Sequence, residues 1–161
     1  IGDTLFTSTY GGGSICFEVK NEGETQTVEK AWKDPAQGYM STPVVVDRHA
    51  YLHLRNQRMA CFDIANGKKT WTSTERFGKY MSLVSHGKTI LALDERGVLM
   101  LIRANPEKLE VTSKREISES PTWAHVAVTD GEIVIRSLKG ISVYDWKQPK
   151  EKTTVSLKSE R

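Results

Sequence analysis

The stretch Met59-Ala60-Cys61-Phe62-Asp63-Ile64-Ala65-Asn66-Gly67-Lys68-Lys69-Thr70-Trp71 decides how this chain is read. Two short runs flank Asn66-Gly67, the pair favoured in a tight type I′ hairpin because both central residues of that turn need positive φ. Upstream, His49 to Arg55 and Met40 to Val46 form two more runs of strand length, with Asp47-Arg48 between them. The unit therefore holds four candidate strands: A (Met40 to Val46), B (His49 to Arg55), C (Met59 to Ala65) and D (Lys69 to Ser73). Turn chemistry bounds each one, which is the pattern of consecutive antiparallel hairpins.

The same signature recurs along the chain. Cys61-Phe62-Asp63 follows Cys16-Phe17-Glu18 and precedes the weaker copies Met100-Leu101-Ile102 and Val143-Tyr144-Asp145, at steps of 45, 39 and 43. Three residues before each copy stands a turn position: Gly13, Arg58, Gly97 or Gly140. A second turn column reads Gly2-Asp3, Asp47-Arg48, His86-Gly87 and Asp130-Gly131, and a third column reads Tyr39-Met40-Ser41, Tyr80-Met81-Ser82 and Trp123-Ala124-His125. Columns that drift together mark a repeat of about 40 residues, and four short antiparallel strands per repeat describe one propeller blade. The expected fold class is all-β: a β-propeller of four-stranded antiparallel blades, present as an incomplete arc of about three and a half to four blades. The blades run roughly over 1–37, 38–78, 79–119 and 120–158. The first lacks its A strand, and the last has only the charged stretch Lys147 to Lys158, interrupted by Pro149, where D should stand.

Composition agrees with strand over helix, since Val, Ile and Thr number 37 against nine Ala in 161 residues. The formal charge of +3 is local: residues 147–161 hold five basic and two acidic groups, so the body, 1–146, sums to zero. Nucleic-acid binders gather Lys and Arg on one face to displace phosphate counterions, and a neutral body with a basic tail speaks against such a partner. No apolar stretch approaches the roughly 18 residues that a spanning helix needs, and no charged start with an apolar core follows the pattern of a signal peptide. The chain begins at Ile1 within a strand-like run, so a piece of a longer protein is expected.

The unit from Met59 to Trp71 resembles the repeat of pyrroloquinoline-quinone (PQQ)-like β-propellers, roughly Leu-x-Ala-Leu-Asp-x-x-Thr-Gly-Lys-x-x-Trp. Glu29-Lys30-Ala31-Trp32 is similar to the end of that repeat, while Leu109 to Glu116 has no Trp and Trp146 falls at the end of a C strand. Most members of this repeat family bind no quinone. The resemblance implies a non-catalytic scaffold that mediates protein or ligand interaction, with a periplasmic or exported location. The alternative it implies is the non-catalytic arc of a PQQ-dependent alcohol or sugar dehydrogenase, with PQQ and Ca²⁺ held elsewhere in the full-length protein.

In quinoprotein dehydrogenases the cofactor sits with Ca²⁺ near a carboxylate base and beside a disulfide of adjacent cysteines. Cys16 and Cys61 instead occupy equivalent strands of neighbouring blades, which should exceed the roughly 7 Å Cα limit of a disulfide, and both read as small apolar core residues. His49 and His53 lie about 13 Å apart on an extended strand and cannot share an ion. His86 and His125 stand in separate repeats. Gly11-Gly12-Gly13 opens no helix and reads as a flexible hairpin, and no nucleophile elbow is present. No catalytic residue, metal ligand or cofactor is expected in this stretch.

Trp32 and Trp71, near the ends of their D strands, are expected to dock across the seam to the next blade. The meander also brings B–C turns and D–A connections to one face. Strand A entries supply Tyr39, Ser41, Tyr80, Ser82, Trp123 and His125 there; the turns outside them supply Arg55, Asn56, Arg58, Asp94, Arg96 and Lys139, with Arg136 nearby in strand B. Trp123 and His125, two apart on a strand, should point the same way, as should the pairs Tyr39 with Ser41 and Tyr80 with Ser82. Aromatics inside a ring of charge describe a recognition funnel for a protein partner or small ligand. The competing reading makes the aromatics a plug of the channel mouth and the charges solvated turns.

Overall fold

The computed structural model describes residues 2–145. These form four antiparallel sheets and no helix, in the expected all-β arc, and the sheets do not close into a ring. Blade 1 holds β1 (Thr4–Thr9), β2 (Gly13–Glu22) and β3 (Thr25–Asp34). Blade 2 holds β4 (Val44–Val46), β5 (His49–His53), β6 (Met59–Asp63) and β7 (Lys69–Thr72). Blade 3 holds β8 (Met81–His86), β9 (Thr89–Asp94), β10 (Val98–Arg103) and β11 (Glu110–Glu116), and blade 4 holds β12 (Ala127–Val128), β13 (Glu132–Ser137) and β14 (Gly140–Asp145). The last D strand sought over Lys147 to Lys158, Trp146 and the basic tail lie outside the described residues.

Each seam between blades is an apolar core, and residue parity decides which seam a side chain joins. In blade 2, Ala50, Leu52, Ala60 and Phe62 face back onto Cys16, Phe6 and Trp32 of blade 1. Tyr51, Met59 and Cys61 face forward onto Met81, Ile90, Ala92 and Met100 of blade 3. Both sides of β5 and β6 are therefore buried, which is why they read as continuous apolar runs rather than alternating ones. In the third seam Leu91, Leu93, Ile133 and Ile135 pack together.

Indole hydrogen bonds cross the first two seams. Trp32 Nε1 donates to the Ile64 carbonyl at 2.7 Å, and Trp71 Nε1 donates to the Asn105 carbonyl at 2.9 Å. Both acceptors lie in the C–D connection of the following blade. At the third seam Ser113 holds the D-strand place of the indole, opposite Leu101. There blade 4 reaches back, with Tyr144 Oη donating to the Ile117 carbonyl at 2.6 Å.

Three local expectations are corrected. A bulge recurs in strand C between Cys16 and Phe17, Cys61 and Phe62, and Leu101 and Ile102, so Cys61 corresponds to Leu101 and not to Met100. The sequence alignment of the third blade slips by one residue, and such a slip exchanges faces: Met100 packs back on blade 2 while Leu101 lies toward blade 4. The type I′ geometry belongs to Asp47-Arg48, with φ of 46° and 64°, rather than to Asn66-Gly67, where only Gly67 takes positive φ. The Asp63 carboxylate explains this, since it accepts from Ala65 N at 2.9 Å and Asn66 Nδ2 at 2.7 Å and so folds a longer loop. Finally, strand A of blade 2 is regular only from Val44, not from Met40. Gly38 bridges Leu54 and Val44 pairs with Tyr51, so the five residues Tyr39 to Pro43 stand opposite Leu52 and His53 alone. Pro43 has no N–H to offer a ladder, and Met40 takes a φ of 52°. In blade 4 strand A is shorter still, and Trp123 and His125 precede it. Only β8 of blade 3 is regular from its entry, with Met81 opposite Asp94.

Candidate functional site

The B–C turns and D–A connections share one face, joined by backbone bonds from Arg55 N to Gln37 O (2.7 Å), Glu95 N to Tyr80 O (2.9 Å) and Leu138 N to Pro121 O (3.1 Å). Large hydrophobics left exposed among the described residues fall, Val128 apart, into two groups. Leu5 and Val28 lie on the outer side of blade 1 and Ile141 and Val143 on the outer side of blade 4, at the two ends of the arc. Val128, in the short β12, stands opposite Ile133 at the edge of the third seam. The others are Tyr10 (61% exposed), Met40 (71%), Trp123 (37%) and Leu138, and every one stands in a B–C turn or a D–A connection.

Around the first seam this face forms a cleft. The Tyr10 ring packs on Tyr39 with centroids 5.9 Å apart, and the Arg55 guanidinium lies 4.5 Å from the centre of the Tyr10 ring. Together with Gln57 and Lys79 they line a cleft of about 310 Å³. A second cleft of about 510 Å³, against Pro35, Gln37, Asn56 and Lys69, also borders Arg55. On the far part of the face Tyr80 stacks on Trp123 at 5.8 Å and 21°. Burial raises the pKa of the Tyr80 phenol.

The structure thus gathers Tyr39 and Arg55 into one cleft and pairs Tyr80 with Trp123, but it does not bring all the sequence candidates together. Ser41 and Ser82 are buried in seams: the Ser41 hydroxyl donates to the Met81 carbonyl, and the Ser82 hydroxyl accepts from Val126 N at 3.2 Å. Both tie one inner strand to the next blade. His125 is exposed, with Nδ1 3.0 Å from the Val126 carbonyl. Arg136 shares the outer side of blade 4 with Val134 and Ile141. Arg58 donates to the carbonyls of Ser73 and Thr74, Arg96 to that of Phe77 at 2.6 Å, and these two guanidiniums fasten D–A connections to turns. The Asp94 carboxylate, buried, accepts from Gly78, Arg96 and Val98 N–H groups. Tyr10, Gln57 and Lys79 were not candidates from sequence. Tyr10 holds the B–C turn of blade 1, so the turn columns carried a signal for it, whereas nothing local marks Lys79.

One buried group stands apart. His53 is fully buried in the second seam, and neither ring nitrogen has a hydrogen-bond partner of normal geometry. Burial lowers its pKa from 6.5 to about 4, opposed only by the Gly78 backbone. Cys16 and Cys61 are free thiols in different seams, and burial raises the pKa of each. Among the described residues no three His, Cys, Asp or Glu side chains gather closely enough to hold a metal ion. This donor set does not fit a quinone–calcium centre with a vicinal disulfide.

Residues 1–73 match the PQQ_2 family, described as outer membrane protein assembly factor BamB. The match covers blades 1 and 2, a little under half of the chain. Solved structures similar to this arc include BamB from Moraxella catarrhalis, at 15% identity over 91% of this chain and 56% of that one, with a TM-score of 0.46. Another is the Cps50 (Swd1) β-propeller domain of Myceliophteria thermophila, at 8% identity over 90% of this chain and 52% of that one, with a TM-score of 0.63. A third is BBS1N in complex with ARL6DN, at 11% identity over 91% of this chain and 47% of that one, with a TM-score of 0.62. The chain spans about half the length of these structures. At such identities the likeness is one of fold. The search of curated protein sequences found no match.

Proposed function

We propose that the chain is part of a non-catalytic propeller scaffold that holds a protein partner on the face of its B–C turns and D–A connections. The observation that carries this reading is the placement of Tyr10, Met40, Trp123 and Leu138, exposed apolar side chains that the open ends of the arc do not account for. Exposed apolar residues ringed by polar ones mark interaction surfaces. BBS1N, of similar fold, was solved in complex with ARL6DN, which supports protein capture as a use of such a scaffold. The family description, outer membrane protein assembly, supports a bacterial envelope setting, periplasmic or exported. The alternative, the non-catalytic arc of a quinoprotein dehydrogenase, shares this fold but gives these exposed side chains no task.

The test is photo-crosslinking in the full-length protein in its own cells, with the reactive residue placed at Met40, Trp123 or, on the opposite face, Asn66. Protein adducts should form from Met40 and Trp123 and not from Asn66. Adducts from Asn66 alone would move the partner to the other face and end this reading.

A further inference from the structure

We infer that the cleft of Tyr10, Tyr39, Arg55 and Lys79 takes an extended acidic peptide segment, an inference that rests on the recognition face proposed above. Arg55 is the pivot. A guanidinium carries five N–H donors in a planar fork. The Arg55 Cζ lies over the Tyr10 ring, 4.5 Å from the centroid, so an aromatic ring and not a carboxylate holds this cation. Its hydrogen bond to Gln37 Oε1 is long, at 3.4 Å, and that same oxygen also accepts from Gly11 N at 3.1 Å. Several other cations are already committed: Arg58 and Arg96 to carbonyls, Arg76 to the Asn56 carbonyl at 3.4 Å, and Lys69 to Asp34 at 3.6 Å. Among the described residues neither Arg55 nor Lys79 has a carboxylate at ion-pair distance. The fork is therefore held beside the Tyr10 ring with no carboxylate partner among the described residues.

Shape and backbone point to the same occupant. Arg55 borders both the 310 Å³ and the 510 Å³ cleft, so a chain lying across it fills both. An extended chain advances about 3.3 Å per residue and presents alternate side chains to one side. Two carboxylates four residues apart on that side reach Arg55, in bidentate fashion, and Lys79. An apolar residue midway between them, on the same side, lies against Tyr10 and Tyr39, with Met40 as a pliable rim. Gln57 and Met40, at φ of 67° and 52°, are non-glycine residues in the left-handed region beside the cleft, and such strain gathers at recognition sites. A nucleic acid is the poorer fit. Residues 1–146 carry no net charge, and Glu95 Oε2, which accepts from Lys79 N at 2.7 Å, adds a negative charge beside the cleft.

The full-length protein is titrated, by calorimetry, with an acetylated seven-residue peptide that carries glutamate at its second and sixth positions, phenylalanine at its fourth and serine elsewhere, so that both carboxylates and the ring share one side. The lysine–phenylalanine counterpart and a twelve-residue oligothymidylate serve as comparisons. The glutamate peptide should bind, and Arg55→Ala and Tyr39→Ala should each weaken it about ten-fold. Arg55→Lys, which keeps charge but loses the fork, should fall between, and Lys88→Ala, in the A–B turn of the opposite face, should change nothing. Unaltered melting of each variant guards against loss of fold, with Lys79→Ala as a further probe of the same cleft. Equal affinity for the glutamate and lysine peptides, an unaffected Arg55→Ala variant, or preference for the oligonucleotide would overturn the inference. Lost peptide binding with the Met40 and Trp123 cross-links intact would overturn the acidic class alone; absence of both would overturn the face itself.

Discussion

Trp32 and Gly67 meet across the first seam so closely that a Cβ on Gly67 would stand 2.6 Å from Cδ2 of the indole. Gly67 also has a φ of 73°, where L side chains are strained. Gly67→Ala therefore faces both a backbone penalty and a rigid ring, and should destabilise the protein by about 1–3 kcal/mol. Urea unfolding measures it. A neutral or stabilising result would mean that the indole moves aside without loss.

The two kinds of exposed and half-buried tryptophan should behave oppositely. Trp71→Ala removes a ring that packs at 6.1 Å from Tyr51 and leaves the Asn105 carbonyl without its donor, at a cost of about 2–4 kcal/mol. Trp123→Ala should cost well under half of that, because the ring is exposed and contacts Tyr80 on one side. Melting of the two variants side by side decides it, and a larger loss for Trp123→Ala would make that residue part of the core.

His53 sets an acid limit. In the unfolded chain its ring titrates near 6.5, and in the folded protein only near 4. The unfolded state therefore binds the extra proton first, and stability falls as pH drops from about 6.5 to about 4, by roughly 3 kcal/mol in all. Above that window the ring is neutral in both states and adds no slope. Leu93 fills the equivalent place in blade 3, as the matching turns from Leu54 to Gln57 and from Asp94 to Gly97 establish. His53→Leu should accordingly fold and lose this part of the pH dependence. An unchanged slope between pH 4 and 6.5 would assign the acid sensitivity elsewhere.

The outer sides of blades 1 and 4 carry Leu5, Val28, Ile141 and Val143 without a covering blade. The 161-residue chain alone should self-associate as its concentration rises, by sedimentation, and Leu5→Thr with Val143→Thr should delay the onset. A monodisperse monomer with one sharp unfolding transition would show that these sides need no cover.

The repeat was legible because turn positions and apolar runs survive in every blade. Register was less so: Met100-Leu101-Ile102 is apolar on both parities, since both sides of β10 face a seam, and no polar marker fixes which residue matches Cys61. The entries to strand A hid for a related reason. Tyr39 to Pro43 has the composition of a strand, and its excursion is set by the Gly38–Leu54 bridge, a tertiary pairing. Ser41 and Ser82 looked like ligands because apolar packing gave them no task; their partners, Met81 O and Val126 N, lie about one blade along the sequence. For the cleft itself Tyr39 and Arg55 could be named, while Tyr10 was concealed by the glycines that follow it.

The reversed third seam gives the blades a fixed order. Blades 1 and 2 each end in the same plug, an indole N–H, and blades 2 and 3 each offer the same socket, a carbonyl of the C–D connection. Blade 3 ends without a plug, and blade 4 arrives with one of its own, the Tyr144 hydroxyl, aimed at Ile117. Excising blade 2 would still let Trp32 meet the Asn105 carbonyl, whereas excising blade 3 would take from Trp71 and Tyr144 at once the acceptors they use, the Asn105 and Ile117 carbonyls. Shuffling of units within this arc is thereby open at its first two joints and closed at the third.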